Sequence, residues 1–303
     1  MAGVITTGSN PKALLPGIKA FWGMAYDEYK PEWKSCFKLD TSERNYEEVV
    51  AMTGMGLAPV KGEGAALMND DMKQAYVTRF INIAYALGYA ITREEMADVL
   101  YPQLARQRTE ALAFSMHQTK ENVAANIFNR AYDGAYLGGD GVCMVSAAHP
   151  TEGGVQSNTL AVAADLSEAS LEDALIDISN FRDNRNNHIS IKGQSLLVPW
   201  QLVFEATRIL RNPERPDTAD RDINAIYTLG LLPGGIIGSH YLTDTDAWFV
   251  LTNIPSGLMY FEREAVRIEN DNDFYTKNEL VSAYERYAFG WADWRGVYGS
   301  PGV

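Results

Sequence analysis

Residues 92–132 read TREEMADVLYPQLARQRTEALAFSMHQTKENVAANIFNRAY. Thr92-x-x-Glu95 is a capping box, in which two short side chains satisfy free backbone N–H groups at a helix start. The helical pattern continues to about Tyr132 and stops near Gly134. Met96, Val99, Leu100, Leu104, Ala111 and Phe114 share one stripe; Leu112, Met116, Val123 and Ile127 share a nearly opposite one. Two stripes predict a helix whose halves lean on different layers. Pro102 lacks an N–H donor and is expected to kink or split the run. From Pro102 onward, about thirty residues at ~1.5 Å each give a strut of ~45 Å, long against the usual ~12 residues.

Upstream, Ala75–Ala90 alternates Tyr, Val, Phe and Ile and predicts a strand. Residues 46–75 are polar and glycine-rich, with Met52, Met55, Met68 and Met72. A long segment of that kind in a compact domain is typically a binding element. Its methionines suit either a surface that adapts to several neighbours or a local core. Residues 1–45 are broken by Gly3, Gly8, Pro11, Pro16, Gly17 and Pro31, yet carry Phe21, Trp22, Tyr26, Tyr29, Trp33 and Phe37. Disordered tails are aromatic-poor, so this arm is expected to lie on its own body or on a neighbour.

Downstream, 133–159 is glycine-rich. Ser170-x-x-Asp173 predicts a capped helix burying Leu171, Ala174, Leu175, Ile178 and Phe181. Ser195–Val198 reads as a buried strand stopped by Pro199, and Trp200–Arg211 as a helix ended by Asn212-Pro213. Ile223–Ile237 and Trp248–Leu251 read as strands, and Gly257–Arg295 alternates as paired strands do. Helices and strands mix without βαβ repetition, so the fold class is α+β.

Composition narrows the function. The 303 residues carry a net charge of −13, opposite to the basic surface from which nucleic-acid binders draw their affinity. The balance still suits a container wall that should not stick to DNA. Two cysteines, Cys36 and Cys143, make neither a metal framework nor a disulfide scaffold. No run approaches the ~18 apolar residues of a membrane span, and the start lacks a secretory pattern. His117, His149, His188 and His240 show no ligand spacing. His149 with Ser146 or Cys143 could be drawn as a hydrolase pair, but no nucleophile elbow accompanies it. Leu232–Gly238 lacks the Gly-Lys-Ser/Thr of a phosphate loop, and Gly138–Gly141 fails the dinucleotide fingerprint. Glu269, Asp271 and Asp273 miss the calcium-loop pattern, whose sixth and twelfth positions are Thr276 and Ser282 here, so they read as a solvated turn. No catalytic, cofactor or metal site is predicted.

The order of elements carries a resemblance. Ala90-Ile-Thr-Arg-Glu-Glu-Met-Ala-Asp98, Asp140-Gly-Val-Cys-Met-Val-Ser-Ala-Ala-His-Pro150, Ser195-Leu-Leu-Val-Pro-Trp-Gln-Leu-Val-Phe-Glu-Ala206, Leu242-Thr-Asp-Thr-Asp-Ala-Trp-Phe249 and Arg286–Gly299 occur in that order. Together they resemble tailed-bacteriophage major capsid proteins of the Hong Kong 97 fold, and among these the Mu-like major head subunits. The resemblance implies an N-terminal arm (1–45), an extended loop (46–75), a peripheral domain with a spine helix (76–135 and 255–303) and an axial domain (136–254). It implies a virion shell of homo-hexamers and homo-pentamers enclosing double-stranded DNA without sequence-specific binding, with scaffolding protein and portal as partners and no membrane. The chain begins directly with the arm, so scaffolding is expected from a separate protein or a cleaved segment. An encapsulin-like compartment of the same fold is the alternative. Candidate subunit contacts are Phe21, Trp22, Tyr26, Trp33, Met52, Met55, Lys61 and Met68.

Overall fold

The computed structural model describes Trp22, Tyr26 and residues 29–97, 101–214 and 223–303. Its frame is two four-stranded sheets. In the first, β1 (Lys38–Thr41), β10 (Leu258–Asn272), β11 (Glu279–Trp291) and β4 (Ile83–Ile91) lie in that order. In the second the order is β12 (Val297–Ser300), β9 (Trp248–Thr252), β7 (Gly193–Pro199) and β8 (Gly235–Ser239). Two ribbons complete the strands: β2 (Tyr46–Met52) with β3 (Gln74–Ile81), and β5 (His149–Thr151) with β6 (Gly154–Gln156).

The predicted long helix is described in two pieces, on either side of 98–100. A short helix α1 (Arg93–Ala97) precedes the 29-residue α2 (Tyr101–Asn129), ~43 Å at 1.5 Å per residue. Pro102 is the second described residue of α2, and the helix runs on from it to Asn129. Thr92 Oγ1 accepts the Glu95 amide at 3.3 Å, as a cap should. The Glu95 carboxylate reaches back to the Thr92 amide, completing the capping box, and also takes Arg108 at 2.7 and 3.1 Å, which ties α1 to α2.

Only one of the two predicted stripes faces the core where both can be followed. Leu112 and Met116 are buried, whereas Ala111 and Phe114 are exposed. The side chains of Met96, Val99, Leu100 and Leu104 lie outside the described residues. The buried face of α2 is continuous but chemically mixed: Ala105, Thr109, Leu112, Ala113, Met116, His117, Lys120, Glu121, Ala124, Ala125 and Phe128. Its first half packs with Trp22 on Ile268, Val281 and Ala283 of the first sheet. Its second half, with Trp33 and Phe37, packs where the sheets meet, on Leu197, Phe249, Leu258, Tyr260 and Tyr287.

The stretch expected as one strand, 75–90, is two. Asn82 divides β3 from β4, and the chain changes partners there: β3 pairs with β2, and β4 with β11. Asn82 is buried; its Nδ2 donates to Ser42 Oγ at 2.7 Å and Arg44 O at 2.9 Å. The ribbon is thus pinned to the sheet at one amide.

Three helices cover the outer face of the second sheet. α3 (Glu168–Ser179) starts one turn earlier than predicted, because Ser167 caps it and exchanges hydrogen bonds with Ser170 at 2.9 and 3.1 Å. Its Leu171, Ala174 and Ile178 are buried as expected. A 3₁₀ turn (Trp200–Leu202) leads into α4 (Val203–Arg211). The strand expected over 223–237 is corrected: it holds a helix, α5 (Ala225–Leu229), and only Gly235 onward is strand. Asn224 caps that helix by accepting the Tyr227 amide at 3.1 Å, and Gly230 ends it in the left-handed region at φ 59°. The core here joins Leu171, Ile178, Leu196, Val198, Ile209, Trp248 and Val250.

Candidate intersubunit surface

The ribbon β2–β3 carries the methionine-rich loop, 53–73, away from both cores. The loop is closed at its base: the Thr53 amide donates to Lys73 O at 2.9 Å, and the Lys73 amide to Thr53 Oγ1 at 3.1 Å. Asp70 fastens it again, accepting the Gly56 amide at 2.6 Å and Arg185 Nη1 at 2.7 Å. Arg185 also donates to Asp71 O. This guanidinium, helped by the Gly56 and Asp71 amides, lowers the Asp70 carboxyl to about 2. Arg185 belongs to the turn after α3, so the loop base is tied to the central part of the chain.

The apolar side chains of the loop are bare. Met52 at the end of β2 and Met55, Leu57, Leu67, Met68 and Met72 in the loop are exposed, and Val60 is 100% accessible. Lys61 is exposed beside it. Several large apolar side chains left bare in one loop make it a candidate interaction surface.

The arm candidates sit differently. Trp22 and Trp33 are each only 6% exposed, within the cores of their own chain. Trp22 stacks on half-buried Tyr26 at 5.7 Å. Trp33 lies on Tyr260 at 4.4 Å and edge-on to Phe289 at 5.3 Å. Of the two options the sequence left open, these rings take their own body. Phe21 lies outside the described residues.

The hairpin β10–β11 presents a second exposed apolar feature, which sequence reasoning passed over. Phe274 and Tyr275 cap its tip, and Tyr275 is 91% exposed. The tip is rigidly built. Asp273 accepts the Tyr275 amide at 3.0 Å and Thr276 Oγ1 at 2.6 Å, and Lys277 Nζ lies 4.1 Å over the Phe274 ring. Phe204 and Trp200, beside the second sheet, are exposed as well, with Trp200 stacked on His240 at 4.5 Å.

The drawn hydrolase pair is not assembled. His149 is fully buried and both its ring nitrogens are engaged: Nδ1 with Asp140 Oδ2 at 2.6 Å, Nε2 with Asn158 Oδ1 at 3.1 Å. Its ring stacks on Trp294 at 4.4 Å. Ser146 Oγ accepts the Ala148 amide instead, and Cys143 Sγ donates to Val145 O. The organiser of this knot is Asn158, which the sequence did not single out. Its Nδ2 donates to the carbonyls of Met144, Trp294 and Val297 at 2.9–3.1 Å, and its Oδ1 accepts the Ser146 amide at 2.8 Å. The glycine-rich passage is thereby sewn to the chain's closing strand. Among the described residues no group of His, Cys, Asp and Glu could hold a metal ion, and no helix is long and apolar enough to cross a membrane.

Residues 78–300 match the phage capsid protein family. The chain belongs to that family. Solved capsids repeat the fold across nearly the whole chain. The capsid of cyanophage P-SCSP1u matches with a TM-score of 0.56 at 11% identity, covering 88% of this chain and 86% of that one. Mycobacterium phage Patience matches at 0.54 and 12% identity, covering 99% and 89%. The virus-like particle from Pyrococcus furiosus matches at 0.53 and 12%, covering 93% and 97%. No curated protein matches the chain. The architecture is the Hong Kong 97-type capsid fold, and this capsid protein is a structural major capsid protein of the virion.

Proposed function

We propose that this capsid protein is a head subunit that closes its shell through the β2–β3 loop of each copy lying on an adjacent copy. The observation that carries the reading is the exposed row Met55, Leu57, Val60, Leu67 and Met68 beyond a base fixed by Asp70 and Arg185. Each large side chain buried by a neighbour contributes ~1.5–3 kcal/mol before ordering costs. Many weak contacts sum in a closed shell. Met52, Met55 and Met68 suit neighbours that differ in geometry between hexamers and pentamers, and Lys61 stands at the same surface.

In this reading residues 1–45 are the arm and 46–75 the extended loop. Residues 76–135 and 255–303 form the peripheral domain with α2 as its spine, and 136–254 the axial domain. The shell encloses double-stranded DNA without reading its sequence, consistent with a net charge of −13. Scaffolding protein and portal are its assembly partners, and the Mu-like head subunits its nearer kin. The role is structural and not catalytic, in keeping with a His149 whose ring is enclosed.

Replacing 55–69 by a short Gly-Ser linker tests the loop. A soluble, folded protein that forms no closed shells by electron microscopy is expected; normal particles overturn the reading. The nucleic-acid content of wild-type particles separates a genome container from a compartment for cargo proteins.

A further inference from the structure

The aromatic tip of β10–β11 and a hollow at the far end of the same sheet match in size and charge. The two strands run from the tip, where Asn272 pairs with Glu279, to the far end, where Leu258 pairs with Trp291. The hollow lies there, between the sheet and the second half of α2. Ile83, Tyr85, Ile127, Tyr136 and Trp291 line it with Arg130, and it encloses about 300 Å³. That is the lower limit for a pocket that holds a small molecule, ~300 Å³, so it takes a ring or two and not a helix. Ile83 and Tyr136 are exposed, so the hollow is open to solvent.

Arg130 is the only charged residue of the lining. Its guanidinium lies 4.4 Å over the Tyr136 ring and has no ion pair among the described residues. The tip has the opposite balance, with Glu269, Asp271 and Asp273 against Lys277. Lys277 is already placed over Phe274, and Asp273 is spent on Tyr275 and Thr276. Asp271 is exposed, and among the described residues it accepts only the amide of Asn272. An acid without a cation thus stands beside two bare rings, and a cation without an acid stands in an aromatic hollow. Aromatic rings and arginines seated in pockets dominate the energetics of protein interfaces. A tip already fixed by its own hydrogen bonds loses little freedom on docking.

Tip and hollow cannot meet within one chain. From Glu279 at the tip to Tyr287 at the hollow, β11 runs about eight residues, ~26 Å at ~3.3 Å each. We propose that the β10–β11 tip of one copy docks in the Arg130 hollow of the next, with the Tyr275 ring inside and Asp271 against Arg130. The contact is head-to-tail, because each copy offers its tip and its hollow at opposite ends of one sheet, and contacts of that kind build rings. It is separate from the β2–β3 loop and does not depend on it.

Subunits carrying benzoylphenylalanine in place of Tyr275, assembled with an excess of isotope-labelled wild type, test this. The excess keeps shells forming, and the label marks a neighbour's peptides. Irradiation of purified shells should attach the probe to labelled peptides spanning 123–136 or 287–291, which line the hollow. Attachment elsewhere, to the probe's own chain only, or none at all overturns the docking. Adding Asp271→Lys to the probe subunit should cut the yield about tenfold against wild-type neighbours, since like charges then face each other. Arg130→Glu neighbours should restore it. Yields that ignore both charges overturn the proposal; if Arg130→Glu does not fold, the yield against wild type decides alone. The same probe at Val60 separates the other occupant: labelling of the hollow from Val60 and not from Tyr275 gives it to the β2–β3 loop and overturns the tip.

Discussion

Asn158 shows how much one side chain holds. All its polar atoms are spent inside the protein, on three carbonyls, one amide and the His149 ring. An unsatisfied buried donor or acceptor costs about 1–3 kcal/mol, and networks lose more than the sum of their pairs. Asn158→Ala should therefore destabilise the subunit by about 3 kcal/mol or more, read as a lowered Tm in calorimetry. A change under about 0.5 kcal/mol, the size of an ordinary surface substitution, would mean that water takes over its bonds. Neither Asn158 nor His149 could be read correctly from the sequence. The pair that could be drawn was His149 with Ser146 or Cys143; its actual partners, Asp140 and Asn158, belong to a knot closed by Trp294 and Val297, far along the chain.

At the scale of elements, the ribbon loop and the spine helix behave differently. The loop is tied at its base by Arg185 and Asp70. Arg185→Ala should leave the subunit folded but speed tryptic cleavage at Lys61, measured by limited proteolysis; an unchanged rate would show that Thr53 and Lys73 close the base unaided. Acid should act on the same tie. Asp70 is depressed from 3.8 to about 2, so the contact is complete above 3.8 and fails as pH falls through about 2. That 53–73 would lack regular structure could be read from its glycines; that Tyr46–Met52 and Gln74–Ile81 pair as strands at its base could not. The spine helix was legible by its length, and the short helix before it by its Thr92 cap. Its buried face was not, because Thr109, His117, Lys120 and Glu121 look like surface residues until Tyr89, the arm amides and Glu285 meet them. The missed helix Ala225–Leu229 had its signals in Asn224 and Gly230, hidden by the β-rich run around them.

For the whole molecule, the net charge of −13 sets the terms of assembly. Copies of one acidic chain repel, and salt shortens the reach of that repulsion to about 10 Å at 0.1 M and 3 Å at 1 M. Raising ionic strength should thus speed shell formation in light scattering. Slower assembly would mean that attraction between opposite charges dominates the contacts. The order of elements along the chain foretold this architecture better than any local motif did, since the family's features are spread from Thr78 to Ser300. The bare aromatic tip of β10–β11 escaped notice because Asp271 and Asp273 gave it the look of a solvated turn, which it also is.

Asn82 has a mechanical consequence. One continuous backbone serves first the ribbon and then the sheet beneath the spine helix, with a single buried amide at the junction. A pull on the loop by an adjoining copy travels along β3, meets Asn82, and arrives as shear on the β4–β11 hydrogen bonds. In the proposed assembly, a neighbour's hold on the loop and strain beside α2 are therefore joined by one short, covalent lever.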